Sequence, residues 1–189
     1  MIPSLEAAKI IQREREDAIV VTHMTPSRYW GLVSEKPEID LPIYGAMSKA
    51  SSVGLGLALA RPDKRIIILD GDGSLLMNLG SLVTTAGQEP RNLVHIVFDD
   101  GVYFTTGGQP VPGSQKYNLS GIARASGITN SYEFDNLEDF ASELPDIMDE
   151  DGPIFMCLKV SHPSENVPEF KMGNTKLAMR RLSAMLADS

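Results

Sequence analysis

Short apolar runs alternate along this chain with longer segments of helical character. The runs are rich in β-branched residues and predict strands at 18–22, 65–70, 93–98, 130–134 and 153–160. The segments between them predict helices at 4–16, 28–33, 48–61, 74–87, 118–126, 136–149 and 174–187. Strands that alternate with helices predict one α/β domain over residues 1–189, a three-layer unit in which helices cover both faces of a mainly parallel sheet.

Composition narrows the class of protein. The chain has a net charge of −8 and no stripe rich in lysine and arginine, which argues against a nucleic-acid surface. It contains neither an eighteen-residue apolar run nor a basic and then apolar N-terminus, so we expect a cytoplasmic protein without a membrane span. The single cysteine, Cys157, lies in an apolar run and is expected to be a buried, reduced strand residue.

Candidate chemistry follows two of the predicted strands. Gly71-Asp72-Gly73-Ser74 comes directly after 65–70, and Asp99-Asp100 comes directly after 93–98. The carboxyl ends of parallel strands meet at one edge of a sheet, and a helix that starts at Ser74 would direct its free N–H groups to the same place. This arrangement predicts a phosphate site with a divalent metal. The alternative is an ordinary strand-to-helix turn, because glycine and aspartate are common turn residues.

The spacing of these two segments resembles the motif of thiamine diphosphate enzymes, which opens on Gly-Asp-Gly and closes on a pair that is usually Asn-Asn. The resemblance implies that Mg²⁺ bridges the cofactor's diphosphate and is bound by the side chains of Asp72 and Asp100 and by the backbone carbonyl of Val102. Oxygen ligands of this kind suit Mg²⁺. Asp99-Asp100 departs from the usual pair and adds negative charge near a diphosphate.

A small-residue segment, 45–58, resembles the part of the family that holds the cofactor bent. Met47 stands where the family has a bulky apolar prop, and the carbonyl of Gly45 would accept a hydrogen bond from the aminopyrimidine. Many relatives have glycine at the position of Ser48. The alternative for Met47 is a methionine that fills a gap in the core.

The segment 22–28 resembles the loop that lies against the cofactor in decarboxylases of this family. The resemblance makes Thr22 and His23 candidate cofactor contacts and His23 a candidate catalytic residue, while Arg28 is a candidate for binding an anionic substrate. The alternative for His23 is a solvated or hydrogen-bonded loop residue.

A glycine-rich loop, 101–110, continues the predicted metal site. Its Thr-Gly-Gly-Gln-Pro run resembles decarboxylases of sulfopyruvate and phosphonopyruvate. Tyr103 is a candidate cofactor contact, and Thr105 and Thr106 are candidates for substrate binding. The alternative is a mobile loop that binds nothing. The stretch 162–173 is expected to be an exposed connection.

The resemblance covers nearly the whole chain but only one domain of the family. Thiamine diphosphate enzymes bind the aminopyrimidine in a second α/β domain, whose glutamate activates the cofactor. We therefore expect a diphosphate-binding, β-type subunit with that glutamate in a separate α-type chain, and no certain catalytic residue in this one. The implied reaction is decarboxylation of a small 2-oxo acid, 3-sulfopyruvate. Phosphonopyruvate decarboxylation, acetolactate synthase-like carboligation and a silent cofactor-binding subunit remain alternatives.

Overall fold

A computed structural model describes residues 1–114, 116–162, 169 and 173–187. Its strands are β1 (Ile2–Pro3), β2 (Ile19–His23), β3 (Asp40–Ile43), β4 (Ile66–Gly71), β5 (Leu93–Asp99), β6 (Val102–Tyr103), β7 (Gln109–Pro110), β8 (Asn130–Phe134) and β9 (Ile154–Ser161). Its helices are α1 (Ser4–Glu14), α2 (Met24–Val33), α3 (Ala50–Ala60), α4 (Asp72–Leu76), α5 (Gly80–Gln88), α6 (Leu119–Ala125), α7 (Leu137–Met148) and α8 (Thr175–Ala187). Short 3-10 turns lie at Pro37–Ile39 and Phe104–Thr106. None of the helices described is both long and apolar enough to cross a membrane.

Seven strands form one sheet in the order β1-β9-β5-β4-β2-β3, and β8 also pairs with β9. Every pair in this sheet is parallel. Strand β8 pairs with the first part of β9 and β1 with its end, because Ile154 lies opposite Asn130 while Val160 lies opposite Ile2. Strands β6 and β7 form a separate antiparallel hairpin. The predicted α/β class and parallel sheet are confirmed.

Apolar side chains cover both faces of the central strands, as a parallel sheet between helices requires. Within β4, Ile67 and Leu69 pack with residues of α1, α2 and α7 on one face. Ile66 and Ile68 face the other side, where residues of α3 and α8 pack. Strand β9 is buried along most of its length and includes Cys157, as predicted.

The structure corrects several element boundaries. The helix predicted over 74–87 is two helices, α4 and α5, separated by a turn at residues 77–79. In this turn Asn78 donates from its side chain to the Ser48 carbonyl and from its backbone to the Leu75 carbonyl. Helix α2 begins at Met24 rather than near Arg28. Strands β1 and β3 and the β6–β7 hairpin were not predicted, because each of these strands has only two to four residues, too few to form a recognisable apolar pattern.

Candidate active site

A pocket lies where β2, β4, β5 and β9 end. This is the edge of a parallel sheet at which ligands of open α/β folds bind. The residues that line it come from the ends of these strands, from the turn before α3 and from the β6–β7 hairpin: Met24, Thr25, Met47, Gly71, Asp72, Gly73, Ser74, Phe98, Asp100, Val102, Tyr103, Phe104, Thr105, Thr106 and His162.

Asp72 is the first residue of α4, and its carboxylate is almost completely buried. Its Oδ2 accepts hydrogen bonds from the backbone N–H of Gly101 (3.1 Å) and from the hydroxyl of Tyr117 (2.9 Å). Burial, together with the nearby carboxylates of Asp100 and Asp99, raises the pKa of Asp72 to about 7. The folded chain therefore holds a carboxylate whose charge is unfavourable until a cation lies beside it.

Asp100 follows β5, and both of its oxygens have donors. Oδ1 accepts from the N–H of Val102 at 3.0 Å, and Oδ2 lies 2.5 Å from Nε2 of His162. Asp99 is bound elsewhere: its Oδ2 lies 2.6 Å from Nζ of Lys159 on the neighbouring strand β9. The charge that Asp99 adds to the expected Asn-Asn pair is therefore partly compensated by an ion pair within the fold.

These groups fit a divalent cation. Two carboxylates and Val102, whose carbonyl is the predicted third ligand, border one pocket. Among the residues described, no three His, Cys, Asp or Glu side chains converge as a metal site. Mg²⁺ does not need three, since it is commonly bound by one or two carboxylates together with phosphate oxygens and water.

The two glycines of the motif differ in their surroundings. A Cβ at Gly73 would lie 2.5 Å from the ring of Tyr103, so the packing of that ring requires glycine. A Cβ at Gly71 would meet no atom within 4 Å, although Gly71 lines the pocket. The packing of the chain gives no reason for glycine there, whereas close approach of a bound anion to the backbone would.

The segment before α3 brings Met47 to the pocket, where its side chain is half-buried. Ser48 has φ +73°, the left-handed conformation that favours glycine, which explains why glycine suits this position. Its N–H donates to the hydroxyl of Ser74 at 3.0 Å and so ties the Met47 segment to α4. Gly45 has φ +70° and is exposed, and it does not line the pocket.

The segment 22–28 differs from the expectation. His23 is completely buried as the last residue of β2, and its Nδ1 lies 2.8 Å from the carbonyl of Ile43. Thr22 is also buried and accepts a hydrogen bond from Ser27. Neither residue lines the pocket, so the structure favours the hydrogen-bonded alternative for His23 over contact with a ligand. The guanidinium of Arg28 lies 5.6 Å from the ring of Phe104, beside the pocket.

The glycine-rich loop forms a hairpin rather than an irregular segment. Gly107 and Gly108 have φ +117° and +75°, and the N–H of Gly108 donates to the carbonyl of Tyr103. The hairpin carries Tyr103, Thr105 and Thr106 to the pocket, where the Thr105 hydroxyl lies 3.3 Å from that of Thr25. Three predicted contacts are thus brought together by one turn.

Sequence reasoning missed His162 and Tyr117. His162 was expected in an exposed connection, but its side chain is only 5% exposed and lines the pocket. The signal was the one used for Asp100, a polar residue just beyond a buried strand. Tyr117 left no such signal, because no predicted strand precedes it. Most of the expected connection, 163–168 and 170–172, lies outside the described residues.

Comparison with known proteins defines the class. Residues 20–157 match the family described as "Thiamine pyrophosphate enzyme, C-terminal TPP binding domain". The match covers most of the chain, and the chain belongs to this family. It is therefore a thiamine diphosphate-binding domain, as the Gly-Asp-Gly motif predicted.

Within this family, the chain is similar along most of its length to subunits of sulfopyruvate decarboxylase. The chain is 36% identical over 171 residues to the sulfopyruvate decarboxylase subunit beta of Methanothermobacter thermautotrophicus, covering 89% of this chain and 87% of the relative. It is 37% identical over 178 residues to the subunit of that name from Methanocaldococcus jannaschii, covering 94% and 93%. It is also 37% identical over 146 residues to a phosphonopyruvate decarboxylase of Streptomyces viridochromogenes, covering 77% of this chain and 36% of that protein.

Solved structures confirm the fold. A putative thiamin diphosphate-dependent enzyme from Mycobacterium smegmatis superposes with a TM-score of 0.69 at 20% identity, over 86% of this chain and 32% of that one. A thiamine diphosphate-dependent 4-hydroxybenzoylformate decarboxylase from Rhodococcus jostii superposes with a TM-score of 0.68 at 21% identity, over 85% of this chain and 33% of that one. The chain thus spans about a third of these longer proteins.

Proposed function

We propose that this chain is the diphosphate-binding subunit of a split decarboxylase that converts 3-sulfopyruvate to sulfoacetaldehyde and carbon dioxide. The observation that carries this proposal is the match to two sulfopyruvate decarboxylase beta subunits along almost the full length of both chains. The pocket supports it independently, because two carboxylates and a glycine turn meet at the carboxyl ends of the parallel strands, the edge where open α/β folds bind ligands.

Thiamine diphosphate, when bound, supplies the electron sink that decarboxylation of a 2-oxo acid requires. This chain would anchor it. The carboxylates of Asp72 and Asp100 and the Val102 carbonyl would hold Mg²⁺, and the backbone at Gly71 leaves room for the diphosphate. Met47, which also lines the pocket, would prop the cofactor.

The rest of the pocket suits a small anionic acid. Met24, Phe98 and Phe104 are apolar lining residues, and an apolar lining that kept water from a bound substrate would favour loss of a carboxylate as neutral carbon dioxide. Arg28 beside Phe104 is the candidate for the charge on the substrate's tail, with the hydroxyls of Thr105 and Thr106 as hydrogen-bonding candidates.

A partner subunit would complete the site. Asp72 and Asp100 are the acidic residues among the described side chains that line the pocket, and both are assigned here to the metal. Thus the glutamate that activates the cofactor would come from an α-type, pyrimidine-binding subunit. The word "subunit" in the names of the two beta relatives supports a partner of some kind.

The test is carbon dioxide release from 3-sulfopyruvate with Mg²⁺ and thiamine diphosphate. The purified chain alone should be inactive, and its complex with the partner should be active. Asp72→Ala in the complex should abolish Mg²⁺-dependent cofactor binding in calorimetry, whereas Asp63→Ala, at an exposed carboxylate paired with Arg61, should not. Robust turnover by the chain alone would contradict the split enzyme, and unchanged affinity in Asp72→Ala would contradict the metal site.

Phosphonopyruvate is the second candidate substrate, since the phosphonopyruvate decarboxylase from Streptomyces viridochromogenes matches at the same identity over a shorter length. Parallel assays with the two acids distinguish them. Recovery of a longer α-hydroxyketone, with the hydroxyl and oxo groups on adjacent carbons, instead of an aldehyde would indicate carboligation. Cofactor binding without turnover of either acid would indicate a silent subunit.

A further inference from the structure

His162 and Asp100 form a close buried pair at the pocket. Strands β5 and β9 are neighbours with Asp99 opposite Lys159, and the two side chains follow the ends of these strands. Nε2 of His162 lies 2.5 Å from Oδ2 of Asp100, and the side chains are 5% and 9% exposed. An ionised carboxylate has no proton to donate, so the Nε2–H of His162 is the donor.

The imidazole of His162 is fixed from the other side as well. Its Nδ1 lies 3.0 Å from the hydroxyl of Tyr29 and 3.0 Å from that of Ser4. The ring stacks on Tyr29 at 8° between planes with centroids 5.5 Å apart, and the Phe104 ring lies 4.3 Å away. The Ser4 hydroxyl also lies within donating distance of the Ser161 carbonyl, which leaves the single lone pair of Nδ1 to the Tyr29 hydroxyl. This bond and the two rings set the position and the orientation of the Nε2–H.

The two oxygens of Asp100 explain why a fixed donor at His162 matters. An asparagine, the usual residue in the family, has one oxygen and one amide nitrogen, whereas aspartate presents two acceptors. At Asp100 both acceptors have a donor, Val102 N–H for Oδ1 and His162 for Oδ2. An asparagine here could accept from Val102 with its oxygen, but its amide N–H would then face Nε2 of His162, which could accept it only with the ring proton moved to Nδ1. With its proton on Nε2, His162 therefore matches aspartate.

We propose that His162 is a positioning residue that orients the Asp100 carboxylate for the metal, so that Asp100 and His162 work as a pair in place of the usual asparagine. This inference rests on the proposed function, because it assigns Asp100 to Mg²⁺. Residues that hydrogen-bond a metal ligand typically change metal affinity by about ten- to a hundredfold when they are removed.

The experiment measures Mg²⁺ affinity rather than activity. The full chain, in complex with its partner and in the presence of a constant excess of thiamine diphosphate, is titrated with Mg²⁺ in a calorimeter, and thermal midpoints are measured with a chelator. His162→Ala should weaken Mg²⁺ binding about ten- to a hundredfold. His162→Gln, which keeps an N–H donor, should weaken it less. In a double-mutant cycle with Asp100→Asn, the combined loss should be smaller than the product of the single losses.

The matched control is His95→Gln. His95 is also buried, and its Nε2 lies 3.7 Å from a carboxylate, that of Asp70, but it does not line the pocket. This variant should lower the thermal midpoint and leave Mg²⁺ affinity unchanged.

A lowered midpoint with wild-type Mg²⁺ affinity in His162→Ala would overturn the positioning role. If His162→Ala does not fold, unchanged affinity in His162→Gln overturns the role and a several-fold loss supports it. A wild-type complex that needs no Mg²⁺ to bind the cofactor would instead refute the proposed function.

Discussion

Asp72→Asn should make the metal-free chain more stable while it removes a predicted metal ligand. In the folded chain the carboxylate of Asp72 is buried beside the carboxylates of Asp100 and Asp99. Asparagine has nearly the same shape, and its oxygen can still accept from Tyr117 and from the Gly101 N–H. The substitution therefore removes mainly the charge.

The magnitude follows from the pKa of Asp72, which rises from 3.8 to about 7 on folding. Each pKa unit corresponds to about 1.4 kcal/mol, so the charge costs the folded chain up to about 4 kcal/mol. Because the folded state binds the proton more tightly than the unfolded state, stability falls as pH rises from about 4 to about 7. Asparagine does not titrate, so the gain from the substitution should be larger at pH 8 than at pH 5, by up to about 3 kcal/mol.

The assay is urea unfolding of the isolated chain with a chelator at pH 5 and pH 8. Asp63→Asn is the control, because the pKa of Asp63 is shifted in the opposite direction: the hydrogen bond to Arg61 lowers the pKa of this exposed carboxylate to about 2. That variant should show no gain at pH 8. A gain in Asp72→Asn that is equal at the two pH values, or a loss at pH 8, would refute the assignment of electrostatic strain to Asp72.

Three further predictions concern the pocket and the core. Met47→Ala should lower turnover of the complex more than its cofactor affinity, because the metal ligands stay in place; lost folding stability with normal activity per folded molecule would make Met47 a packing residue instead. Ser48→Gly should raise the free energy of unfolding by up to about 1 kcal/mol, since the left-handed φ of +73° no longer strains a side chain, and a loss in urea unfolding would contradict this. Arg15→Met should cost about 3–5 kcal/mol in the same assay, because it leaves the buried carboxylate of Asp40, 3.0 Å away, without its cation. Arg91→Met, which breaks an ion pair whose arginine is 81% exposed, should cost less than about 1 kcal/mol, and equal losses would contradict the role of burial.

The sequence predicted the parts of the fold that local pattern determines. The apolar runs that became β4, β5 and β9 are buried on both faces, so their composition alone marks them as strands. Strand β3 has no such composition, since it contains Asp40 and Pro42. Asp40 is tolerated there because Arg15 from the end of α1 lies beside it. Arg15 and Asp40 are far apart in the sequence, so neither the segment around Arg15 nor the segment around Asp40 predicts this ion pair.

In the candidate site, too, residues in a local motif could be predicted, whereas residues brought in by distant contacts could not. Asp72 and Asp100 were predicted because each directly follows a strand in a recognisable motif. Tyr117 and His162 bind those two carboxylates from 45 and 62 residues away, so their partners depend on the assembled sheet. For His23 the assembled sheet changes the setting: the sequence places it in a loop, but the structure extends β2 by one residue, and the side chain is buried and does not line the pocket.

Two residues at or beside the pocket, Met24 and Ser48, have a strained left-handed backbone conformation. Outside glycine, the described residues with positive φ are Glu16, Met24, Ser48 and Glu89. Met24 lines the pocket, and Ser48 is hydrogen-bonded to Ser74, which also lines it. Backbone strain of this kind costs about 1–3 kcal/mol per residue and persists where the surrounding structure enforces it. The buried charge of Asp72 adds to that cost at the same place. A cation between Asp72 and Asp100 would relieve the repulsion of the carboxylates but not the strain at Met24 and Ser48. Cofactor binding should therefore stabilise the chain most strongly at alkaline pH, where Asp72 is charged, and the stability that Ser48→Gly restores should be the same with and without Mg²⁺.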